Sequence, residues 1–288
     1  MYGNFGQRAF PMPGRSSGGF AKGRLLIGLV MAGFALFSYF RSSVYNPVTG
    51  EKQHVSISEE QEIALGLQAA PEMAQQHGGL HHDEQARALV TRVGESLVRN
   101  SAAAQTAYPF EFHLLADPQT VNAFALPGGQ AFITAALYSR LQTEGQLAGV
   151  LGHEIGHVVA RHGAQRLAQQ ELTQGLSGAV VMATYDPNNP GSRNTAMIAM
   201  MIGNLVNMKY GREDELQSDR LGVRFMAEAG YDPHALIGVM KILEEASGGG
   251  GGQPEFFSTH PNPENRIDRI KEAIQEEFPN GLPEGLKQ

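Results

Sequence analysis

Gln146-Leu147-Ala148-Gly149-Val150-Leu151-Gly152-His153-Glu154-Ile155-Gly156-His157-Val158-Val159-Ala160-Arg161-His162 decides the reading of this chain. Apolar residues recur at 147, 150, 151, 155, 158 and 159, which is helical spacing for a helix buried on most sides. His153 and His157 are four apart and so lie one above the other on one face of that helix. Two imidazoles so placed can reach one Zn²⁺. Glu154 stands beside the same face, within reach of a metal-activated water. Gly152 and Gly156 form helix poorly, so small size there points to another backbone or the metal coming close.

Two histidines do not complete a catalytic zinc site; a third protein ligand is required. His162 is one residue out of register for the metzincin pattern, which needs Gly at 160 and His at 163 where this chain has Ala160 and Gly163. It reads better as a polar residue near a helix end, where a cation is favoured. Tyr210 to Gly222 offers a stronger source. Glu215 and Asp219 lie four apart on a helix expected to run to about Glu228. One carboxylate can bind zinc while the other accepts the free ring N–H of a liganding histidine. Taken alone, the same stretch is an acidic helix start.

At this point the chain resembles the zinc metallopeptidase family that contains HtpX, BepA and the type I CAAX prenyl proteases. Four stretches carry the likeness: Val121 to Gly129, the H-E-x-x-H helix ending in Ala160-Arg161-His162, Arg212 with Glu215 and Asp219, and Ser258-Thr259-His260-Pro261 with Arg266-Ile267. The resemblance implies His153, His157 and Glu215 as zinc ligands, Glu154 as catalytic base and Asp219 as the group orienting a liganding histidine. It places His260 and Arg266 in the active-site wall. Gly211 and Ser218 stand where relatives often carry Ser and Ala, and neither supplies a ligand. The likeness covers roughly residues 55 to 275.

Composition narrows the setting. The 288 residues include no cysteine, which excludes disulfides and Cys-type zinc sites. The net charge of −7 divides unevenly: residues 1–41 carry five basic and no acidic residues, and the remainder carries 17 basic against 29 acidic. A basic head on an acidic body suits a membrane-targeting end and a soluble body, and no basic patch suits nucleic acid. Leu25 to Phe40 is an uncharged run of 16 residues, with Lys22 and Arg24 before it and Arg41 after it. The long basic lead and the lack of an A-x-A-like site favour a retained anchor over a cleaved signal peptide. Arg8, Arg15, Lys22 and Arg24 outnumber Arg41 and Lys52, so the N-terminus is expected in the cytoplasm and the catalytic body in the periplasm.

The expected organisation is a disordered basic N-terminus (1–24), a single-pass anchor in the inner membrane (25–40), a linker (41–57), the metallopeptidase domain (58–278) and a C-terminal tail (279–288). Ser58 with Gln61 forms a capping box at the head of a helix to about Gln76. A second amphipathic helix spans about Asp83 to Asn100. Phe110 to Leu115 alternates as a strand. Asn122 to Leu126 and Gln130 to Thr134 flank Pro127-Gly128-Gly129, a hairpin turn signal. Asn122, Ala123, Phe124 and Ala125, as an edge strand, would hold an extended substrate through main-chain bonds, with Arg266 beside them. Met197, Met200, Met201, Leu205 and Met208 make an apolar face that suits core packing or an adaptable lid. The glycine run Gly248 to Gly252 is a flexible loop that would let His260 approach and leave the site, where a histidine can donate to an oxyanion. His54, His77, His81, His82, His113 and His234 show no paired ligand spacing.

The fold class expected is α+β, mainly helical: a zincin-like domain with a small sheet behind one N-terminal transmembrane helix. The function expected is a membrane-anchored endopeptidase with one Zn²⁺, acting on unfolded or misassembled membrane or exported proteins in quality control. Two other readings stand beside it: a closed, chaperone-like zinc module, and a structural zinc site with His260 as fourth ligand.

Overall fold

A computed structural model of the chain describes residues 17–184, 211–248, 254–262 and 265–288. The methionine face at 197–208 and glycines 249–252 lie outside the described residues.

The helix carrying the motif, α5 (Glu144–Val159), is the centre of the molecule. Every residue from Leu147 to Val159 is buried, as its near-continuous apolar sequence predicts. Thr143 caps its start through the backbone N–H of Gln146. Around it pack α3 (Glu84–Arg99), α7 (Arg212–Glu228), α8 (His234–Gly248) and a small sheet. Val150, Leu151, Ile155 and Val159 join Val90, Val93 and Leu97 of α3 with Phe225, Leu236 and Val239 in one core. The short helices α4 (Ala135–Tyr138) and α9 (Phe256–Thr259) and the last helix, α10 (Arg266–Glu277), close the body.

The expected capping box opens α2 (Glu59–Gln76): Ser58 accepts from Gln61 N–H while the Gln61 side chain accepts from Ser58 N–H. Asp83 caps α3 through Gln85 and Ala86. In the main sheet β3 (Glu111–Leu115), β4 (Ala123–Ala125) and β5 (Gln130–Thr134) take the order β3-β5-β4. The 122–134 segment forms the expected antiparallel hairpin, and β3 adds in parallel to β5. This leaves β4 as the edge strand beside α5.

Two stretches differ from the sequence reading. The first helix, α1 (Ser17–Arg41), starts eight residues before the apolar run, inside the segment expected to be disordered. Once an apolar helix is nucleated, each added residue gains one backbone bond, which outweighs the poor helix propensity of the glycines in this stretch. The segment 41–57, expected to be a linker, carries a two-stranded hairpin, Ser43–Asn46 with Glu51–His54. Its inward side chains are polar. Asn46 donates to Val159 O at 2.7 Å and Gln53 to Ala160 O at 2.8 Å, so the hairpin satisfies carbonyls that α5 leaves unpaired at its end.

After α5 the chain turns at Arg161, whose φ of 56° is left-handed, and starts α6 (His162–Thr184). The turn is held by the Arg161 side chain, which donates to Glu62 at 2.8 Å and to Ile57 O at 2.9 Å. Glu62 also accepts from Tyr108 at 2.7 Å. Burial raises the Glu62 carboxyl and the Tyr108 hydroxyl above their ordinary values.

Candidate metal centre

Glycines set the separation of the two helices that carry the candidate ligands. A Cβ on Gly156 would sit 2.7 Å from Ser218 Oγ and 2.8 Å from Ser218 O. One on Gly222 would sit 3.2 Å from the backbone of Gly152 and His153. The Ser218 hydroxyl donates to His153 O and ties α7 to α5. With the backbones this close, side chains from both helices share one small volume.

In that volume His153, His157, Glu215 and His260 each point one ligand-type atom, and all four atoms lie within 4.8 Å of one another. His153 Nε2 and His157 Nε2 are 3.0 Å apart. Each stands 3.4 Å from an oxygen of Glu215. His260 Nδ1 is 3.1 Å from Glu215 Oε1 and 3.3 Å from His153 Nε2. All four residues are buried.

Ring orientation follows from what lies behind each histidine. His153 Nδ1 faces Asp219 Oδ1 at 2.8 Å, and a carboxylate only accepts, so Nδ1 carries hydrogen and Nε2 turns to the cluster. The ring of His157 is fixed by a longer chain. Gln217 donates through Nε2 to Glu51 at 2.8 Å, which turns its Oε1 toward His162 Nε2, also at 2.8 Å. His162 therefore donates from Nε2. Burial lowers its pKa and keeps it neutral, so its Nδ1 is an acceptor. His157 Nδ1, 2.8 Å away, donates to it, and the lone pair of His157 Nε2 faces the cluster.

Arg266 supplies the balancing charge. It donates to Asp219 at 2.7 and 2.9 Å and approaches Glu215 Oε2 at 3.2 Å. It was expected on the wall beside substrate; instead it is buried under the cluster, because two desolvated carboxylates need a cation close by. Burial pushes the carboxyls of Glu215 and Asp219 upward. The histidines around Glu215 and the guanidinium beside Asp219 outweigh it and hold both below the usual carboxylate range. Burial likewise opposes charge on His153, but Asp219 and Glu215 outweigh it and push its pKa up to about 9. Two imidazole lone pairs and a carboxylate converging at these distances suit a cation.

Glu154 differs from its neighbours. Both its oxygens are buried without a hydrogen-bond partner, and burial raises its pKa. Among the described residues the nearest cation-capable atom is His260 Nε2, 3.6 Å from Oε1. A buried carboxylate lacking partners at the edge of a ligand cluster is placed to exchange a proton with something bound there.

Asn122 and Ala123 have buried side chains, and Phe124 stacks on Phe132. Asn122 O and Leu126 N–H bond to β5, so the backbone groups of Ala123 and Ala125 face the open side of the sheet. Ala125 and Leu126 at that edge share a small crevice with Pro127, His157, Val158 and Arg161. The remaining histidines lie elsewhere: His77 pairs with Asp117, His113 with Gln130, His234 with Asp232, His54 stacks on Tyr39, and His81 on His82.

The profile described as Peptidase family M48 matches residues 84–274, which takes in α5, α7 and His260. The chain belongs to this family. Members are metallopeptidases, hydrolases whose chemistry agrees with the donor set above. Among similar proteins, this M48 chain is 28% identical over 261 residues to the beta-barrel assembly-enhancing protease of Yersinia pestis, covering 89% of this chain and 52% of that one. It is 29% identical over 253 residues to the mitochondrial metalloendopeptidase OMA1 of Schizosaccharomyces pombe, covering 87% of this chain and 72% of that one. The chain thus spans about half the length of the bacterial relative.

Proposed function

We propose that this M48 chain is a zinc endopeptidase anchored to a membrane by α1. The observation that carries the reading is the convergence of His153, His157 and Glu215 beside the unpartnered carboxylate of Glu154. His153, His157 and Glu215 would hold the metal, with Asp219 and the His162–Gln217 pair fixing the histidine rings. When bound, zinc supplies a Lewis acid that activates water and polarises the scissile carbonyl. Glu154 takes the proton from the attacking water and delivers it to the leaving amine. Its raised pKa suits both halves of that exchange. The outward backbone groups of Ala123 and Ala125 would pair with an extended substrate as an added strand, which selects unfolded protein over sequence.

The apolar α1 supports anchoring: Lys22–Arg41 has mean hydropathy 1.7 and is the one helix among the described residues long and apolar enough to cross a membrane. The charge bias around it supports a cytoplasmic N-terminus and an outward, periplasmic body. Quality control of membrane or exported proteins is the role we assign, in keeping with a relative named for β-barrel assembly. The test compares the wild type with Glu154→Gln on unfolded casein, with bound zinc measured in both. Zinc in both and cleavage by the wild type alone supports the assignment; equal cleavage by both removes it.

The position of His260 favours a second reading of the resting state. Its Nδ1 lies among the ligand atoms and its ring stacks on Phe256 with centroids 4.5 Å apart. A fourth protein donor there closes the site to water, as in a latent enzyme or a structural zinc site. His260→Ala separates the possibilities: cleavage rises if the ring blocks the site and falls if it serves the oxyanion.

A further inference from the structure

Helix α6 starts beside the metal centre and ends alongside α1. The two run antiparallel. A Cβ on Gly28 would sit 2.7 Å from Ala179 O and 2.9 Å from Ala183 Cβ, and one on Gly175 would sit 2.7 Å from Ala35 Cβ. Nearer the body, Ser38, Tyr39 and Arg41 face Ala168, Glu171 and Leu172 across a shared cleft. Gly175, Ala179 and Ala183 recur every four residues, the pattern that lets helices touch along their backbones in lipid.

This pairing fixes the level of one helix relative to the other. Arg41 ends the apolar run of α1, and Glu171 lies across from it as the last charged residue of α6. Beyond Glu171, Leu172 to Thr184 are 13 residues with no charge. They run beside Leu25 to Phe40 to within about one turn of its far end. Most outward residues on both helices are apolar, with Phe34 71% exposed on α1 and Val180 43% and Met182 40% on α6; the exposed polar residues Ser38 and Gln174 lie toward the Arg41–Glu171 end.

We infer that the C-terminal half of α6, Leu172 to Thr184, is embedded in the lipid bilayer next to α1. The inference rests on the reading of α1 as a membrane span, and on nothing else proposed above. Any bilayer that holds Leu25 to Phe40 also surrounds the partner helix at the same depth. Thirteen residues give about 20 Å of helix against a hydrocarbon core of roughly 30 Å. The boundary near Glu171 is nine residues from His162, about 14 Å along the axis. The metal centre is thereby held close above the membrane surface, within reach of segments that emerge from it.

The absence of cysteine makes the test direct, since one introduced thiol can be labelled alone. Phe34→Cys, Val180→Cys, Met182→Cys and Gln170→Cys would be made in the full chain, checked for zinc content and coupled to a small fluorophore. Each is reconstituted in phosphatidylcholine–phosphatidylglycerol vesicles and quenched by brominated lipid or by aqueous iodide. Lipid quenching at 180 and 182 that matches 34 and is several-fold above 170, with iodide showing the reverse order, is the expected result. Lipid quenching at 34 with iodide quenching at 180 and 182 overturns the inference and leaves α1 as the anchor. Iodide quenching at all four positions removes the anchor itself, and the inference with it.

Discussion

The metal centre and the α1–α6 pair are opposite solutions to the same constraint. At the centre, polar and charged groups lie in a dry core: Glu215, Asp219, Arg266 and three histidines are all almost fully buried. On the helix pair, leucines, phenylalanines and valines face outward. Each region is out of place for a protein in water, and each becomes ordinary once a second component is supplied. A cation suits the first and lipid the second. Burial alone therefore does not tell which parts of the molecule are complete.

The comparison can be broken most sharply at Glu154. Glu154→Gln is expected to lower casein cleavage on the order of 10³-fold with zinc retained, because it removes the proton carrier and leaves the ligand set. Zinc loss would make Glu154 part of the structural cluster. Next in size is Arg266→Met, which leaves Asp219 and Glu215 buried without their cation. The expected cost is about 3–5 kcal/mol of stability in urea unfolding of the metal-free protein, and bound zinc should recover part of it. An unchanged midpoint would show that the histidines alone balance the carboxylates. His162→Phe tests the chain that orients His157: zinc affinity should fall about 10- to 100-fold in chelator competition, with near-native helix content.

Gly28→Leu acts only on the helix pair. It should separate α1 from α6 and shift the detergent-solubilised protein to a lower melting temperature without changing casein cleavage. Loss of cleavage would mean that the pair reaches the site through α6. The smallest effect is expected at Asp117, which belongs to neither region. Burial works to raise its carboxyl, but hydrogen bonds from Thr120, Gln119 and His77 outweigh that and hold it well below the usual carboxylate range. A depressed pKa contributes stability above the unfolded value, about 4, that is lost as pH falls through the folded one. Asp117→Asn should therefore flatten the acid limb of the stability profile and leave neutral activity alone.

These two regions also mark what the sequence could and could not convey. His153 and His157 were legible because their relation is local, one turn of one helix. Glu215 and Asp219 are far from them in sequence; their own spacing marked them, while their assignment leaned on resemblance. His162 was visible and its role was not. Helical extrapolation from His157 turns its ring away, but the left-handed residue Arg161 breaks the helix and brings the ring back to His157 Nδ1. The hairpin in 41–57 escaped notice because its inward residues are Asn46 and Gln53, and hydrophobic patterning does not register side chains that cap carbonyls. The level of α6 in relation to α1 could not be read at all, since it depends on contacts between Gly28, Ala35, Gly175 and Ala179 across more than a hundred residues.

One position inside the motif has a wider meaning. In H-E-x-x-H the two middle letters are written as free, yet at Gly156 a single methyl group would land on Ser218. Here the second x is a spacer of fixed thickness: it sets how far the helix bearing two ligands stands from the helix bearing the third. A chain with alanine at that position could match the same five-letter pattern and still hold its ligands too far apart, unless residue 218 were trimmed in return.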